Sequence, residues 1–400
     1  MSGILNLPRS RPPKAHQMTT APPQPAPTHT PVAARMSFLD RYLAVWILLA
    51  MGAGLALGAL IPGLDQALES VQVMGMSLPI AVGLLVMMYP VLAKVRYDET
   101  HRVTGDRRLL ALSLVLNWII GPALMFALAW AFLPDHPEYR TGLIIVGLAR
   151  CIAMVLIWND LACGDREAAA VLVFINSVFQ VIAFSGLGWF YLQVLPGWLG
   201  LPTTGVDFSV WAIFLSVLVF LGIPLLAGFL TRTVGERAKG RTWYEERFLP
   251  RIGPWALYGL LFTIVILFAL QGDAILSQPL DVGRIAIPLV IYFVVMFLGS
   301  LFAARAAGVD YARSTTVAFT ASGNNFELAI AVSIATFGVT SGQALAGVVG
   351  PLIEVPILVG LVYVALWLAP KLFPGDPSVP GTATSSAPPH TARTDREAAR

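Results

Sequence analysis

The sequence predicts an all-α polytopic membrane protein with ten transmembrane helices in two inverted five-helix repeats, the fourth and ninth helices being discontinuous. Three observations predict it. Hydrophobic residues make up 56% of the 400-residue chain and charged residues only 12%, with a mean hydropathy of +0.73; an ordinary soluble domain carries roughly 25% charged residues. Apolar runs long enough to cross ~30 Å of hydrocarbon recur along the chain. The two halves of the apolar region also align with each other. Disorder, collagen and nucleic-acid binding are excluded as descriptions of the whole.

Residues 1–36 are rich in Pro, Thr and Ala and contain no continuous apolar run, so they read as a disordered tail and not a secretory signal. Residues 373–400, with a Pro-Ser-Thr bias, read likewise. Between them lies one transporter-sized domain, 37–372, with spans expected at 41–61, 77–95, 109–133, 141–158, 168–195, 209–231, 252–271, 285–304, 314–337 and 344–369. Orientation follows from basic residues. Lys94, Arg96, Arg102, Arg107 and Arg108 crowd one connection, and Arg232, Arg237, Lys239, Arg241, Arg247 and Arg251 another, whereas the alternate connections hold little beyond Arg140 and Arg284. The positive-inside rule then puts both termini in the cytoplasm of a multi-pass cell-membrane protein.

The repeats, about 37–200 and 205–372, superimpose at a constant offset of 176 residues, with Gly147 on Gly323 and Ala168 on Ala344. Five spans per copy is odd, so the second copy is inverted. Such repeats belong to secondary transporters, with the substrate near the midplane where paired spans are interrupted. The fourth span is interrupted at Gly147–Cys151 and the ninth at Ser322–Glu327. At this offset Cys151 falls on Glu327.

Ionisable residues inside spans are costly and point to function. Here they are chiefly Arg150, Glu327 and Glu354, with Asn117, Asn176, Gln180, Asn324 and Asn325 as neutral polar neighbours. Bland readings stand beside the functional ones. Asn324 and Glu327 fit a capping box at a new helix start, Arg150 is a ready partner for either glutamate, and Glu354 lies between Pro351 and Pro356, where it can bridge backbone groups freed by a kink. Of two cysteines, Cys163 lies in a connection. Cys151 follows a positive residue at a helix break, where a thiol is a plausible ligand for a soft, thiophilic substrate. Gly54 and Gly58 read as a helix-packing pair. All five histidines lie in tails or connections, so no cofactor and no enzyme is expected.

Three stretches carry a family resemblance. Ala149–Asp160, continuing through Gly164-Asp165-Arg166 to Asn176-Ser177, resembles the signature of the Acr-type arsenite efflux permeases. Gly323–Ala331 and Val349–Pro356 are similar to that family too. The family is similar in fold to the bile acid and sodium symporters, which implies a panel domain beside a core domain with crossed, discontinuous helices. The resemblance implies export of arsenite, in some members also antimonite, in exchange for protons. It places Cys151 as the arsenic ligand, Arg150, Trp158, Asn176 and Asn325 in the substrate site, and Glu327 and Glu354 in proton coupling. One thiol bonds arsenic reversibly, which suits a carrier. A carboxylate alternately desolvated and wetted suits proton coupling. Two other readings stay open: a sodium-coupled organic-anion symporter using Asn117, Asn324, Asn325 and Gln180, and a membrane receptor or scaffold dependent on its tails.

Overall fold

The computed structural model describes residues 42–380 apart from 74–75, 97–105 and 204–208. The expected N-terminal tail, 1–36, lies outside the described residues. In chain order the elements are α1 (Leu43–Leu60), the short α2 (Leu64–Glu69), a two-residue antiparallel ladder of β1 (Gln72–Val73) and β2 (Met76–Ser77), α3 (Leu78–Ala93), α4 (Arg107–Phe132), α5 (Pro137–Leu148), α6 (Met154–Leu161), α7 (Arg166–Trp198), α8 (Val210–Lys239), α9 (Arg241–Gly272), α10 (Pro279–Ala306), α11 (Tyr311–Ser322), α12 (Phe326–Phe337) and α13 (Gly342–Leu372). Among the described residues seven helices are long and apolar enough to cross a membrane: α1, α4, α7, α8, α9, α10 and α13. The stretches expected as single spans at 141–158 and 314–337 are each two helices, α5 with α6 and α11 with α12.

Local chemistry sets the boundaries. Side chains of Asp106, Asp165, Ser209, Asp310 and Ser341 each accept a hydrogen bond from a backbone N–H three residues on, opening α4, α7, α8, α11 and α13. Three of these caps converge: the Arg313 guanidinium lies 3.5 Å from Asp106, 3.4 Å from Asp165 and 3.8 Å from Asp310. Within the long helices the backbone widens into π-helical turns at Leu116–Ile120, Phe190–Val194, Leu218–Gly222 and Tyr244–Phe248. Each turn ends two residues before a proline, namely Pro122, Pro196, Pro224 and Pro250. The cause is common to all four: proline lacks an N–H and its ring collides with the carbonyl one turn back, so the preceding turn opens.

Close helix approach uses glycine. A methyl at Gly54 or Gly58 of α1 would strike the carbonyl oxygen of Val265 or Ala269 on α9, and one at Gly228 of α8 would strike the backbone of α3. Thus α1 and α3 pack on α9, and α8 packs on α3. The Gly54–Gly58 pair is a packing surface, as read. In the other group, α10 packs on α11 and α13, and α13 on α5 and α12. Outward faces carry large apolar side chains such as Leu49, Leu60, Ile182, Trp211 and Trp367, as lipid contact requires.

Residues 373–380, expected as tail, are folded onto the helices, and 381–400 lie outside the described residues. Phe373 and Val379 are buried, and the Asp376 carboxylate accepts a hydrogen bond from Tyr311 N at 2.7 Å. The chain folds back because α11 begins with N–H groups that need acceptors.

Candidate functional site

The two interrupted helices meet at their breaks. Arg150 and Asn324 pair as a short antiparallel bridge. Cys151 N donates to Gly323 O at 3.2 Å, and Asn325 N donates to Ala149 O at 3.0 Å. These bonds interchange at an offset of 174, not 176. The equivalent of Cys151 is therefore Asn325, and Glu327 corresponds to Ala153. The constant register read from sequence fails here: the offset is already 174 from Pro137 and Tyr311 to Leu148 and Ser322, before a first break that spans 149–153 and a second that spans only 323–325.

Four helix ends converge on the pairing, and the sequence treats the two kinds differently. The C-terminal ends of α5 and α11 expose carbonyls. Arg150, fully buried, answers them: its guanidinium donates to Gly147 O and, at 3.2 Å, to Ala321 O, and also to the Tyr292 hydroxyl at 2.8 Å. Asn324 Nδ2 donates to Val146 O at 2.8 Å and Ala149 O at 3.2 Å. A cation at two helix C-termini is matched to their dipoles. The expected ion pairing of Arg150 with Glu327 or Glu354 is not what its side chain does, since carbonyls and a tyrosine occupy it. The N-terminal ends of α6 and α12, the partially positive ends, face a shared cavity.

That cavity is small, about 10 Å³, and is lined by Met87, Met88, Cys151, Ile152, Ala153, Met154, Asn325 and Glu327. Asn325 is the cap of α12: its Oδ1 accepts from Leu328 N at 3.0 Å. The cap expected at Asn324 thus lies one residue later, because Asn324 is drawn into the helix crossing, and with Leu328 three residues on, Glu327 closes no capping box. Asn325 Nδ2 is buried without a hydrogen-bond partner. No side chain caps α6, and the N–H groups of Met154 and Val155 face the Cys151 thiol instead. Gly323 lies directly against Cys151, where an added methyl would sit 3.0 Å from its Cβ.

Glu354, on α13, stands behind the crossing. Its Oε1 accepts from Asn324 N at 3.2 Å, and its Oε2 has no partner. The bridging of a backbone N–H expected of it is present, although the N–H belongs to the break and not to its own kinked helix. Both Glu327 and Glu354 lie close enough to act electrostatically on Cys151. The structure therefore gathers Cys151, Asn325 and Glu327 around the cavity, with Arg150 and Glu354 supporting it. Asn176 and Trp158 are elsewhere. Asn176 accepts from Trp118 Nε1 at 3.1 Å and donates to Asn117 Oδ1 at 3.3 Å. Trp158 is buried on α6, outside the cavity lining. Met87, Met88 and Met154 line the cavity and were not singled out from sequence.

The remaining signature residues hold α6 to α11. Asn159 Oδ1 accepts from the Thr316 hydroxyl at 2.8 Å, and Gly164 leaves room for the Asn159 amide. The Tyr311 hydroxyl donates to Ala162 O at 2.8 Å.

A second cavity of about 760 Å³ shares Met87, Ala153 and Met154 with the first. It runs between α1, α3 and α9 on one side and α6 and α7 on the other. Lys94, Arg96, Asp160, Arg166 and Glu167 stand among its lining residues. Arg166 is bound to Asp160 at 2.6 Å, and Arg96 to Glu245 at 3.1 Å. This vestibule reaches the basic residues Lys94, Arg96 and Arg166 and, through Met87, Ala153 and Met154, adjoins the small cavity that Cys151 lines.

Three of the four oxygens assigned to a sodium site have other work, while Asn324 Oδ1 is buried without a hydrogen-bond partner. Asn325 Oδ1 caps α12, Gln180 Oε1 accepts from Arg150 N, and Asn117 Oδ1 accepts from Asn176.

A chain of apolar helices with two broken helices meeting at a buried polar cavity is a multi-pass membrane protein of transporter type. Comparison with known proteins agrees. The sequence model of the Sodium Bile acid symporter family matches residues 81–278. An arsenical-resistance protein Acr3 of Corynebacterium glutamicum is 67% identical over 354 residues, covering 88% of this chain and 96% of that protein. An arsenical-resistance protein Acr3 of Alkaliphilus metalliredigens is 32% identical over 340 residues, 82% of this chain and 93% of that protein. An uncharacterized transporter of Synechocystis is 34% identical over 365 residues, 86% of this chain and 92% of that protein. The chain belongs to the Acr3 arsenical-resistance family.

Proposed function

We propose that this protein exports arsenite from the cytoplasm across the cell membrane in exchange for protons, with antimonite as a second cargo. The observation that carries the reading is the thiol of Cys151, held at the uncapped start of α6 and reached through the vestibule from the basic side. Arsenous acid is small and polar with a soft arsenic centre. Its arsenic bonds the Cys151 sulfur as one As–O bond breaks, that hydroxyl leaving as water with the thiol proton, and its remaining hydroxyl groups find a donor in Asn325 Nδ2 and an acceptor in Glu327.

Exchange needs the substrate and the proton to compete. In the Cys151–Glu327 pair the thiol proton leaves with the departing water, so the exchanged proton is the one that Glu327 gives up when arsenite binds from the cytoplasm; on the outer side water cleaves the As–S bond, restoring the thiol, and Glu327 takes up a proton as arsenite leaves. Arg150 serves this site by fixing the crossing and not by touching substrate. Glu354 is the reserve proton site, one bond behind the crossing. The seven long helices, α3 and the two interrupted pairs make ten spans in two inverted repeats. In this reading α1, α3, α8 and α9 form the panel, the broken helices lie in the core, and both termini are cytoplasmic. The vestibule then represents the inward-facing state.

The test is arsenite flux in everted vesicles under an imposed pH gradient. Uptake that rises with the gradient and needs no sodium supports the reading. Sodium-dependent movement that survives loss of the thiol would instead favour the organic-anion symporter.

A further inference from the structure

The cavity at Cys151 has two chemically different walls. Asn325 and Glu327 offer nitrogen and oxygen, while Cys151, Met87, Met88 and Met154 offer sulfur. Met87 and Met88 come from α3 and Met154 is the first residue of α6, so two helices that are distant in sequence bring their thioethers to the thiol. These sulfur-bearing side chains are buried, none more than 4% exposed. The thiol is fixed, because the Cys151 backbone is tied to Gly323. The methionines are unbranched and can adjust around an occupant.

The other wall offers a cation little: Asn325 Nδ2 is a donor, buried with no acceptor, and an amide nitrogen does not ligate a cation. Hard cations want a shell of oxygens, and here Asn325 Oδ1 is already spent on the α12 cap. A thiolate with thioethers is the donor set for soft closed-shell ions. The Glu327 carboxylate adds favourable negative charge, and the vestibule, which shares Met87 and Met154, supplies a route from water.

We propose that Cys151, Met87, Met88 and Met154 form a binding site for a soft monovalent cation, of which Ag⁺ and Cu⁺ are the representatives. Binding forms a metal–sulfur bond at Cys151 and sends the thiol proton to water through the vestibule, with no change of oxidation state. Because the ion takes the sulfur assigned to arsenic, it competes with arsenite. The site itself does not depend on the export reading, so it is tested by binding and not by transport.

The experiment uses full-length protein purified in detergent, carrying Cys163→Ser so that Cys151 is the remaining thiol, titrated with Ag⁺. X-ray absorption at the silver edge counts the neighbours. One ion per chain with a sulfur-only shell of two or more sulfurs is expected. Met87→Leu, Met88→Leu and Met154→Leu are close to volume-conserving and should leave the melting temperature nearly unchanged. At least one of them should remove a sulfur from the shell and weaken Ag⁺ binding about tenfold. A single sulfur accompanied by nitrogen or oxygen overturns the proposal. So do three leucine variants that bind like the parent, or a Cys151→Ser variant that binds as tightly.

Discussion

The two breaks solve the same problem in different ways. At the second, Asn325 closes the start of α12 with an ordinary side-chain cap. At the first, α6 begins without one and a thiol stands where the amide would be. An amide cap is a finished hydrogen bond. A thiol facing the N–H groups of Met154 and Val155 is an exchangeable one, able to give up its proton for a bond to a soft element. The fold has therefore set a rigid break opposite a reactive one.

The most severe test of that contrast removes the reactive half. Cys151→Ser should lower arsenite efflux by at least a hundredfold with insertion intact, since an oxygen of similar size keeps the geometry but bonds arsenic poorly. Cys163→Ser should stay within twofold. Burial, and then the Asp160 charge, push the Cys163 thiol above its usual range, so it is mostly unreactive at neutral pH. Cells lacking their own exporter and carrying the two variants should separate cleanly in arsenite tolerance. Equal tolerance would remove the thiol mechanism.

Next comes Glu327, which lines the cavity from the capped side. Glu327→Gln should insert normally and lose the response of flux to an imposed pH gradient, whereas Glu327→Asp should keep part of it. If Glu327 served only the helix start, both variants would keep most of their activity, because Asn325 already supplies the cap. A glutamine variant that still follows the gradient would move coupling to Glu354.

Much of this was legible in the sequence, and the misses have physical causes. Glycines and polar residues inside apolar runs located both breaks, and the one cysteine, one amide and one glutamate that meet there were all named in advance. The repeat register was two residues out at the crossing. The offset is 174 through α5 and α11; the first break is longer than the second, and α6 is shorter than α12 by more than that difference, so 176 is reached only at the Asp165 and Ser341 caps. A constant offset hides two compensating changes. Met87 and Met88 carried no local signal, because their place in the cavity lining depends on how α3 packs beside α12. Asn176 and Trp158 were placed in the site by resemblance, whereas the structure sets them outside the cavity.

The rigid half is next in order of effect. Asn325→Ala removes the α12 cap and should cost about 1 kcal/mol of stability, read as a lower melting temperature in detergent. Asn325→Asp keeps an acceptor for Leu328 N and should melt close to the parent, yet it loses the free amide donor and should raise the arsenite concentration needed for half-maximal flux. Parallel losses in both variants would mean that the amide is structural alone. Gly350→Ala probes the same half from outside, since its methyl would enter the Phe326 ring at the first residue of α12. It should reduce flux severalfold, and an unchanged rate would show that α12 tolerates displacement.

The smallest effect lies at the outer ends of the broken helices. No side chain caps α5, which starts with Pro137. The start of α11 is capped by Asp310 and strapped by residues 373–380, with Asp376 bound to Tyr311 N and the Ser378 hydroxyl accepting from Ala312 N at 3.2 Å. Burial alone would push the Asp376 carboxyl up, but hydrogen bonds from the Ser378 hydroxyl and from the N–H groups of Tyr311 and Ser378 outweigh it and hold the group below its usual range. A depressed carboxyl stabilises the fold above the unfolded value of about 3.9, and that contribution fades as pH falls through the folded value. Hydrogen exchange at Tyr311 and Ala312 should therefore be slow at neutral pH and gain protection factors only weakly dependent on pH down to about 4, then lose them below it. Asp376→Ala should abolish this acid step while leaving arsenite flux within about twofold, because the strap touches α11 at the end remote from Cys151. An acid step that persists in the alanine variant would show that Asp376 does not carry the pH response.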